Sequence, residues 1–386
     1  MLPFGCLSMS IDAVFIEFFA DIHDQRQSEK IHYAFYDVLF LTVCAVIGGA
    51  EGWEEIEDFG EIHLPWFQSK GLFKNGIPVH DTIARIISRI KPAQFQTAFI
   101  RWTNAINKQT DGALVAIDGK TLRRSYDRED RTSTIHMVSA YAAANKVVLG
   151  QLKTAAKSNE ITAIPQLLTL LDIKGCLISI DAMGCQTEIA KTIVEQQGDY
   201  LLAVKGNQPT LFDAVRKALA PQLIQPLNQE RAAIEQQHGR IEAREYHVLE
   251  AGVLASQFPD WPGLQTIGVA VSYRTENKKK TTLDMRYFIS SKVLERDEFS
   301  QAVRGHWAIE NSLHWVLDVT MGEDACPIYR GDAAEILACI RHMALNMLRG
   351  ETSRKASIRR KQKIAGMSSE YLEAVLTAGI QKLTVS

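Results

Sequence analysis

Cysteine is scarce in this sequence, and nothing in its placement suggests a task. The six cysteines (Cys6, Cys44, Cys176, Cys185, Cys326, Cys339) are scattered over 386 residues with no CxxC pair and no CxxH spacing. This excludes a zinc ribbon or finger and a disulfide scaffold, and they read as core thiols of a reduced cytoplasmic protein. Long apolar runs are missing too. The most apolar stretch, Tyr36 to Ala50, is interrupted by Asp37 and is too short to span a bilayer. No cationic leader precedes it, so neither membrane insertion nor secretion is expected. An excess of one charge is also absent: 43 Lys and Arg against 45 Asp and Glu leave a net charge of −2. A polyanionic partner would therefore have to be met by local patches.

What is present is ordinary for a globular chain, 46% hydrophobic and 23% charged, and long enough for two or three cores. The first hundred residues carry apolar side chains at three- and four-residue steps, predicting helices over Ile11 to Ala20, Ala34 to Gly48, Trp53 to Phe59 and Ile83 to Ile90. Asp81 is placed to cap the last of these, and His80 reads as structural. A compact helical domain follows, either a cap on the next domain or a DNA-binding unit; its helix-turn-helix turn pattern is weak.

From Ala113 the period changes. ALVAID is a buried strand expected to close on Asp118, and Cys176 to Asp181 repeats the pattern and closes on Asp181. Between them lie strands Ile135 to Ala142 and Lys146 to Leu152, then a helix from Ser158-Asn159-Glu160 to Leu171. A helix over Cys185 to Gln197, a strand from Tyr200 to Lys205 and a helix after Pro209 complete a mixed α/β unit. Neighbouring strands would bring the two aspartates together, and close carboxylates repel unless a cation lies between them. Each aspartate alone could equally be a turn former.

After a Pro-, Gln- and Glu-rich passage, strands are predicted over Arg244 to Leu249, Leu264 to Ser272 and Thr282 to Ser290, with Lys278, Lys279 and Lys280 at a hairpin tip. The stretch Val303 to Asp324, VRGHWAIENSLHWVLDVTMGED, then sets Glu310 on one helical face with His306, Trp307, Leu313, His314 and Leu317. A carboxylate in that company reads as a metal ligand or general base, or as a flank residue paired with an arginine such as Arg304. His306, Glu310 and His314 also form a four-residue ladder of the kind a zinc hydrolase could use, though without an HExxH core. The chain ends in a helix over Ala333 to Leu348 and a basic tract, Arg349, Arg354, Lys355, Arg359, Arg360, Lys361 and Lys363 against Glu351 alone, which points to a polyanion contact.

These strings carry a resemblance. AIDGKTLRRS, SIDAMGCQ, GDYLLAVKGNQ, HGRIEAREY and RGHWAIENSLHWVLDVTMGEDA, in that order, with GIPVHDTIARI before and YRGDAAEILACIRHMALNMLR after, resemble insertion-sequence transposases of the H-repeat-associated type, within the DDE superfamily. The resemblance implies an α/β fold: an RNase H-like mixed-sheet catalytic core with a β-rich insertion, preceded by an all-helical N-terminal domain. In domains it implies residues 1–108 (helical, a candidate for DNA binding), 109–220 (first part of the core), 221–293 (insertion), 294–348 (rest of the core with the Glu helix) and 349–386 (basic tail and short helix).

The family's triad falls on Asp118, Asp181 and Glu310, implying two Mg²⁺ or Mn²⁺ ions per site that cleave and join DNA at the ends of an element. An inactive DNA-binding remnant is the alternative. The expected partners are element-end and target DNA, met by a homodimer at the nucleoid, with no membrane. Lys120, Arg123, Arg124, Lys205, His238, Arg240, His306, Arg359, Arg360, Lys361 and Lys363 are the expected DNA contacts. Related hairpin-forming transposases carry Tyr, Arg and Lys seven before, four before and seven after the glutamate. Here those positions hold Val303, His306 and Leu317, which counts against a hairpin intermediate and leaves His306 as the substitute phosphate donor.

Overall fold

The computed structural model describes residues 11–27, 31–106, 112–122, 125, 135–154, 160–223, 233–237, 240–276, 281–326, 328 and 331–379. Six N-terminal helices come first: α1 (Ile11–Phe19), α2 (Phe35–Ile47), α3 (Trp53–Ile62), α4 (Leu64–Ser69), α5 (His80–Ile87) and α6 (Pro92–Ile106). The helix α2, FYDVLFLTVCAVI, is apolar almost all round and is buried from Val38 to Ile47, so it must lie inside a layer rather than on one. Its Thr42 hydroxyl donates to the Val38 carbonyl at 2.8 Å, which satisfies the one buried polar side chain of that run. Asp81 does not cap α5. Glu57 of α3 does so instead, its Oε2 accepting both the His80 amide and His80 Nδ1 at 2.7 Å.

One sheet of nine strands follows: β1 (Leu114–Leu122), β2 (Ile135–Ala142), β3 (Val147–Thr154), β4 (Leu177–Ile180), β5 (Asp199–Val204), β6 (Ala233–Gln237), β7 (Arg240–Glu250), β8 (Thr266–Glu276) and β9 (Thr282–Ser290). Their order is β3-β2-β1-β4-β5-β9-β8-β7-β6. Strands β1, β4 and β5 are mutually parallel, and the other pairings are antiparallel. The strands expected as an insertion therefore continue the same sheet, joined through Leu201↔Ser290 and its neighbours. Helices α7 (Glu160–Leu170), α8 (Thr187–Glu195), α9 (Pro209–Leu223) and α10 (Val253–Gln257) connect the strands.

The face of the sheet opposite α6 and α7 receives α11 (Arg296–Ile309). This helix begins with a capping box between Glu295 and Glu298, and Asp297 adds a second acid to its first turn. Phe299 of α11 is buried edge-on against Phe288 and Tyr246, ring centroids 5.4 and 6.1 Å away, an anchor whose truncation to alanine would cost about 3–5 kcal/mol. Gly305 lets the helix close on β1, since a Cβ there would stand 2.3 Å from the Leu114 side chain.

The C-terminal basic tract is not a tail. Helix α12 (Ala333–Gly350), buried from Ala333 to Leu348, packs against α2, α6 and β3. Then α13 (Ile358–Met367) and α14 (Ser369–Ala378) fold onto the N-terminal helices. His63 of the α3–α4 corner meets Ser369 Oγ (2.9 Å) and the Gly366 carbonyl (3.0 Å), and Trp102 Nε1 donates to the Gly379 carbonyl (3.2 Å). The helical layer is thus built from both ends of the chain.

Glu335 sits where α12 meets α6 and β3. Gln96 Nε2 donates to its Oε1 at 2.8 Å, and Lys153 Nζ stands 3.9 Å from Oε2. Burial pushes its pKa up to about 7, with Lys153 opposing and Asp332 adding. The folded chain therefore keeps a proton that the unfolded chain gives up in the ordinary glutamate range. Stability is intact below that range and is lost as pH rises toward 7. Glu335→Gln should raise the free energy of urea unfolding at pH 8 by up to about 3 kcal/mol and barely change it at pH 4; equal shifts at both pH values would contradict the ionisation account.

Candidate active site

Strand alternation decides which side chains of β1 face α11. Leu114, Ala116, Asp118 and Lys120 point one way, and Gly119 points the other, where a Cβ would meet the Glu160 carboxylate at 2.4 Å. Asp118 does not end its strand as expected; β1 runs on to Leu122, with Asp118 opposite Ser139. Asp181 does lie just past the end of β4. The last parallel pair is Ile117↔Ile180, so the two aspartates are next in register on neighbouring strands.

Opposite them the α11 helix widens. Two π-helical turns, Glu310–His314 and Val316–Thr320, replace regular α geometry, a change that often marks functional segments. The widening leaves the Glu310 side chain 66% exposed at the mouth of the site, rather than buried among its apolar neighbours as the spacing suggested. Leu313, His314 and Leu317 are the residues that turn inward. His314 Nδ1 lies 3.6 Å from Glu310 Oε2 and 3.7 Å from Asp118 Oδ2. Ligand atoms of Asp118, Glu310 and His314 all fall within 4.8 Å of one another.

The charges at this point are unbalanced. Burial pushes the Asp118 pKa up to about 7; His314 opposes the shift, and the negative charges of Glu310 and Asp181 add to it. Glu310 has a lowered pKa, chiefly because His314 lies beside it, with Asp118 and His306 adding and burial opposing. Asp181 belongs to the electrostatics more than to the cluster. Its Oδ1 accepts from the amides of Met183 (3.0 Å) and Gly184 (3.3 Å), an Asx turn that fixes the loop after β4. That loop is clamped from β5, because Asn207 Nδ2 donates to the Ala182 carbonyl (2.7 Å) and Gln208 Nε2 to that of Cys185 (3.0 Å). The GNQ string after Lys205 therefore holds the aspartate loop in place, a role its sequence did not announce.

Residues 109–347 match the family described as Transposase DDE domain, and residues 16–103 match the family described as DDE_Tnp_1-associated. The chain is 48% identical over 366 residues to the "H repeat-associated putative transposase YhhI" of Escherichia coli (strain K12), covering 94% of this chain and 97% of that protein. It is 47% identical over 374 residues to the "Putative transposase YncI" of Escherichia coli O157:H7, covering 96% of each. The chain belongs to the DDE transposase family. A piggyBac transposase synaptic complex with hairpin DNA aligns over 97% of this chain and 81% of that one at 11% identity, with a TM-score of 0.44, too loose a likeness to bear weight here.

In this DDE transposase several expected DNA contacts are placed elsewhere. Lys120 is 9% exposed and pairs with both Asp318 and Glu323. Burial works against its charge, yet the two acids more than offset that and its pKa is raised; its cation is committed inside the fold. His306 is largely enclosed, and burial lowers its pKa against the pull of Asp181, which disfavours the cationic form that a substitute for an arginine needs. Lys361 is buried too, its ammonium on the Leu348 carbonyl (2.9 Å), the Glu351 carbonyl and the Glu351 carboxylate. Arg349 is also occupied, donating to the carbonyls of Lys146 (2.8 Å) and Ser312 and lying over the Tyr141 ring.

Lys205, Arg359, Arg360 and Lys363 are exposed. Arg123, Arg124 and His238 lie outside the described residues, as does the 277–280 hairpin tip, and of Arg240 only the backbone, which opens β7, is described. The His306–Glu310–His314 ladder does not assemble: among the described residues, the group with ligand spacing takes Asp118 in place of His306. Arg244 and Arg286 stack on the Trp307 ring at 5.3 and 4.5 Å, tying β7 and β9 to α11.

Sequence reading missed Asp318, Glu323 and His342. Glu323 is fully enclosed; burial raises its pKa, but Lys120, His342 and Arg341 bring it below the usual value. Burial pushes His342 down to about 3. Their cue was the density of acids in LDVTMGEDA, directly after Glu310. Lys120 thereby staples the strand of Asp118 to the segment that follows Glu310. Lys120→Met would leave two acids without their cation, and urea unfolding should show a loss of about 3–5 kcal/mol. Adding Glu323→Gln should restore a large part. A single-mutant loss below about 1 kcal/mol would mean that the staple holds nothing together.

Proposed function

We propose that this protein cleaves and joins DNA at the ends of an insertion element, with Asp118, Asp181 and Glu310 as the acids of a divalent-metal centre. The observation that carries the reading is the convergence of Asp118 and Glu310, from a strand and a helix 192 residues apart in sequence, on one point with Asp181 in the adjoining register position. Such a cluster is repulsive by itself. A carboxyl held near neutrality by burial and by two neighbouring acids is what a cation-binding centre presents before its counter-charge arrives. The donors are mainly oxygens, which suits Mg²⁺ or Mn²⁺.

Asp118, central in the cluster, would serve both ion positions, with Glu310 and Asp181 on either side. Bound cations would supply a nucleophilic water or 3′-OH and stabilise the leaving oxygen of an in-line displacement. The protein's own part is positional. The β4–β5 clamp fixes the Asp181 loop, the Lys120 staple fixes strand against helix, and the exposed Glu310 leaves the mouth open to a phosphodiester. The strand order β3-β2-β1-β4-β5, with β2 antiparallel to β1 and the acids on β1, after β4 and on a covering helix, supports an RNase H-like core. Exposed Lys205, Arg359, Arg360 and Lys363 remain as backbone contacts for the duplex. Among the described residues no helix is long and apolar enough to cross a membrane.

The test uses a supercoiled plasmid carrying the cognate element ends, with Mg²⁺ or Mn²⁺. The wild type should cut at those ends. Asp118→Asn, Asp181→Asn and Glu310→Gln should each abolish cutting while binding the ends as well as or better than the wild type, since each removes a negative charge facing phosphate. Cutting that survives in any of the three would remove that residue from the centre.

A further inference from the structure

His314 is the member of the cluster that a triad of acids does not account for. It is 5% exposed, and no apolar pairing or hydrogen bond explains its direction: Nε2 is buried with no partner, and Nδ1 points at two carboxylates from 3.6 and 3.7 Å. Those separations are too long for hydrogen bonds. They are close to the ~3 to 3.5 Å expected between donors that share one ion at about 2.0–2.2 Å from each. Among the described residues this is the group of three or more His, Cys, Asp and Glu side chains with ligand spacing, and Asp181 is not part of it.

The geometry points to an assignment that rests on the metal-dependent reading above and refines it: we propose that His314 Nδ1 is a direct ligand, with Asp118 and Glu310, of one of the two cations. The two positions are then chemically different. The one held by Asp118 and Asp181 is an all-oxygen site suited to Mg²⁺, which keeps waters and tolerates few protein ligands. The one that includes His314 has a nitrogen donor, and imidazole favours first-row transition dications over Mg²⁺. His306 cannot take this role, because it lies about two turns earlier on the same helix, against the Ser179 backbone and near Asp181. The four-residue step from 310 to 314 sets both side chains toward one point, within the π turn Glu310–His314, while Trp315 is turned out, 57% exposed.

Mn²⁺ bound to the full chain, previously stripped of metal with a chelator, provides the probe. Pulsed EPR of the wild type should show nitrogen modulation from a directly bound imidazole, and labelling histidine with ¹⁵N should shift it. His306→Gln should keep that modulation and His314→Gln should lose it. Mn²⁺ affinity of His314→Gln should fall by at least about tenfold, the scale seen even when a group that only supports a ligand is removed, whereas Mg²⁺ affinity should change little. If His314→Gln does not fold, the labelled wild type and His306→Gln still decide. Nitrogen modulation that is lost in His306→Gln, or Mn²⁺ bound with none in the wild type, overturns the assignment and leaves the carboxylate centre standing. Binding of neither Mn²⁺ nor Mg²⁺ by the wild type would instead refute the centre itself.

Discussion

Two carboxylates held together against their own repulsion are what the rest of this structure serves. Ligand oxygens of Asp118 and Glu310 lie within 4.8 Å, where two full charges would repel by about 3–4 kcal/mol at an effective dielectric near 20. The fold meets this by burial that raises the Asp118 pKa to about 7 and by keeping Glu310 partly in water. It also anchors both from behind: Lys120, two residues beyond Asp118, is locked to Asp318 and Glu323. A cation two residues from a cluster of acids is in reach of neutralising it. Here it neutralises a second, deeper pair instead.

The surrounding architecture explains why that tension does not open the site. Helix α11 is fixed to the sheet by Phe299 and by the close approach at Gly305. The α12 helix carries Arg341 and His342 under Glu323 on one side and meets α2 and α6 on the other. Movement of the Glu310 segment would have to break a buried polar network and a continuous apolar core that runs from Phe15 to Leu376. The site is thus backed by a helical layer drawn from both the N-terminal and the C-terminal helices.

Much of this was readable in the residues, for identifiable reasons. Asp118 and Asp181 stood out because each follows a short apolar run, and Glu310 because its helix mixes an acid with His and Trp. The pairing of distant partners was not readable. Nothing in the sequence tells a lysine facing phosphate from one facing Glu323, 203 positions later, so Lys120 was misplaced, and Lys361 for the same reason. His314 was visible as a companion of Glu310 on one helical face and as one rung of a zinc ladder, but its approach to Asp118, 196 positions earlier, is a strand-to-helix contact that local spacing does not show. Helix α4 escaped notice because it is only six residues long, and α6 because the face it buries is completed by β3, α1 and α12, which its own sequence does not show. The insertion strands looked separate because the edge of β5 carries no sequence mark of what pairs with it.

The central claim is that Asp118 is the shared member of a two-cation centre. Crystals soaked in Mn²⁺ and measured at the manganese absorption edge address it most directly. The account predicts two anomalous peaks that both touch Asp118, one reaching Glu310 and the other Asp181. Crystals that take up Mn²⁺ elsewhere but show no peak at Asp118 would contradict it.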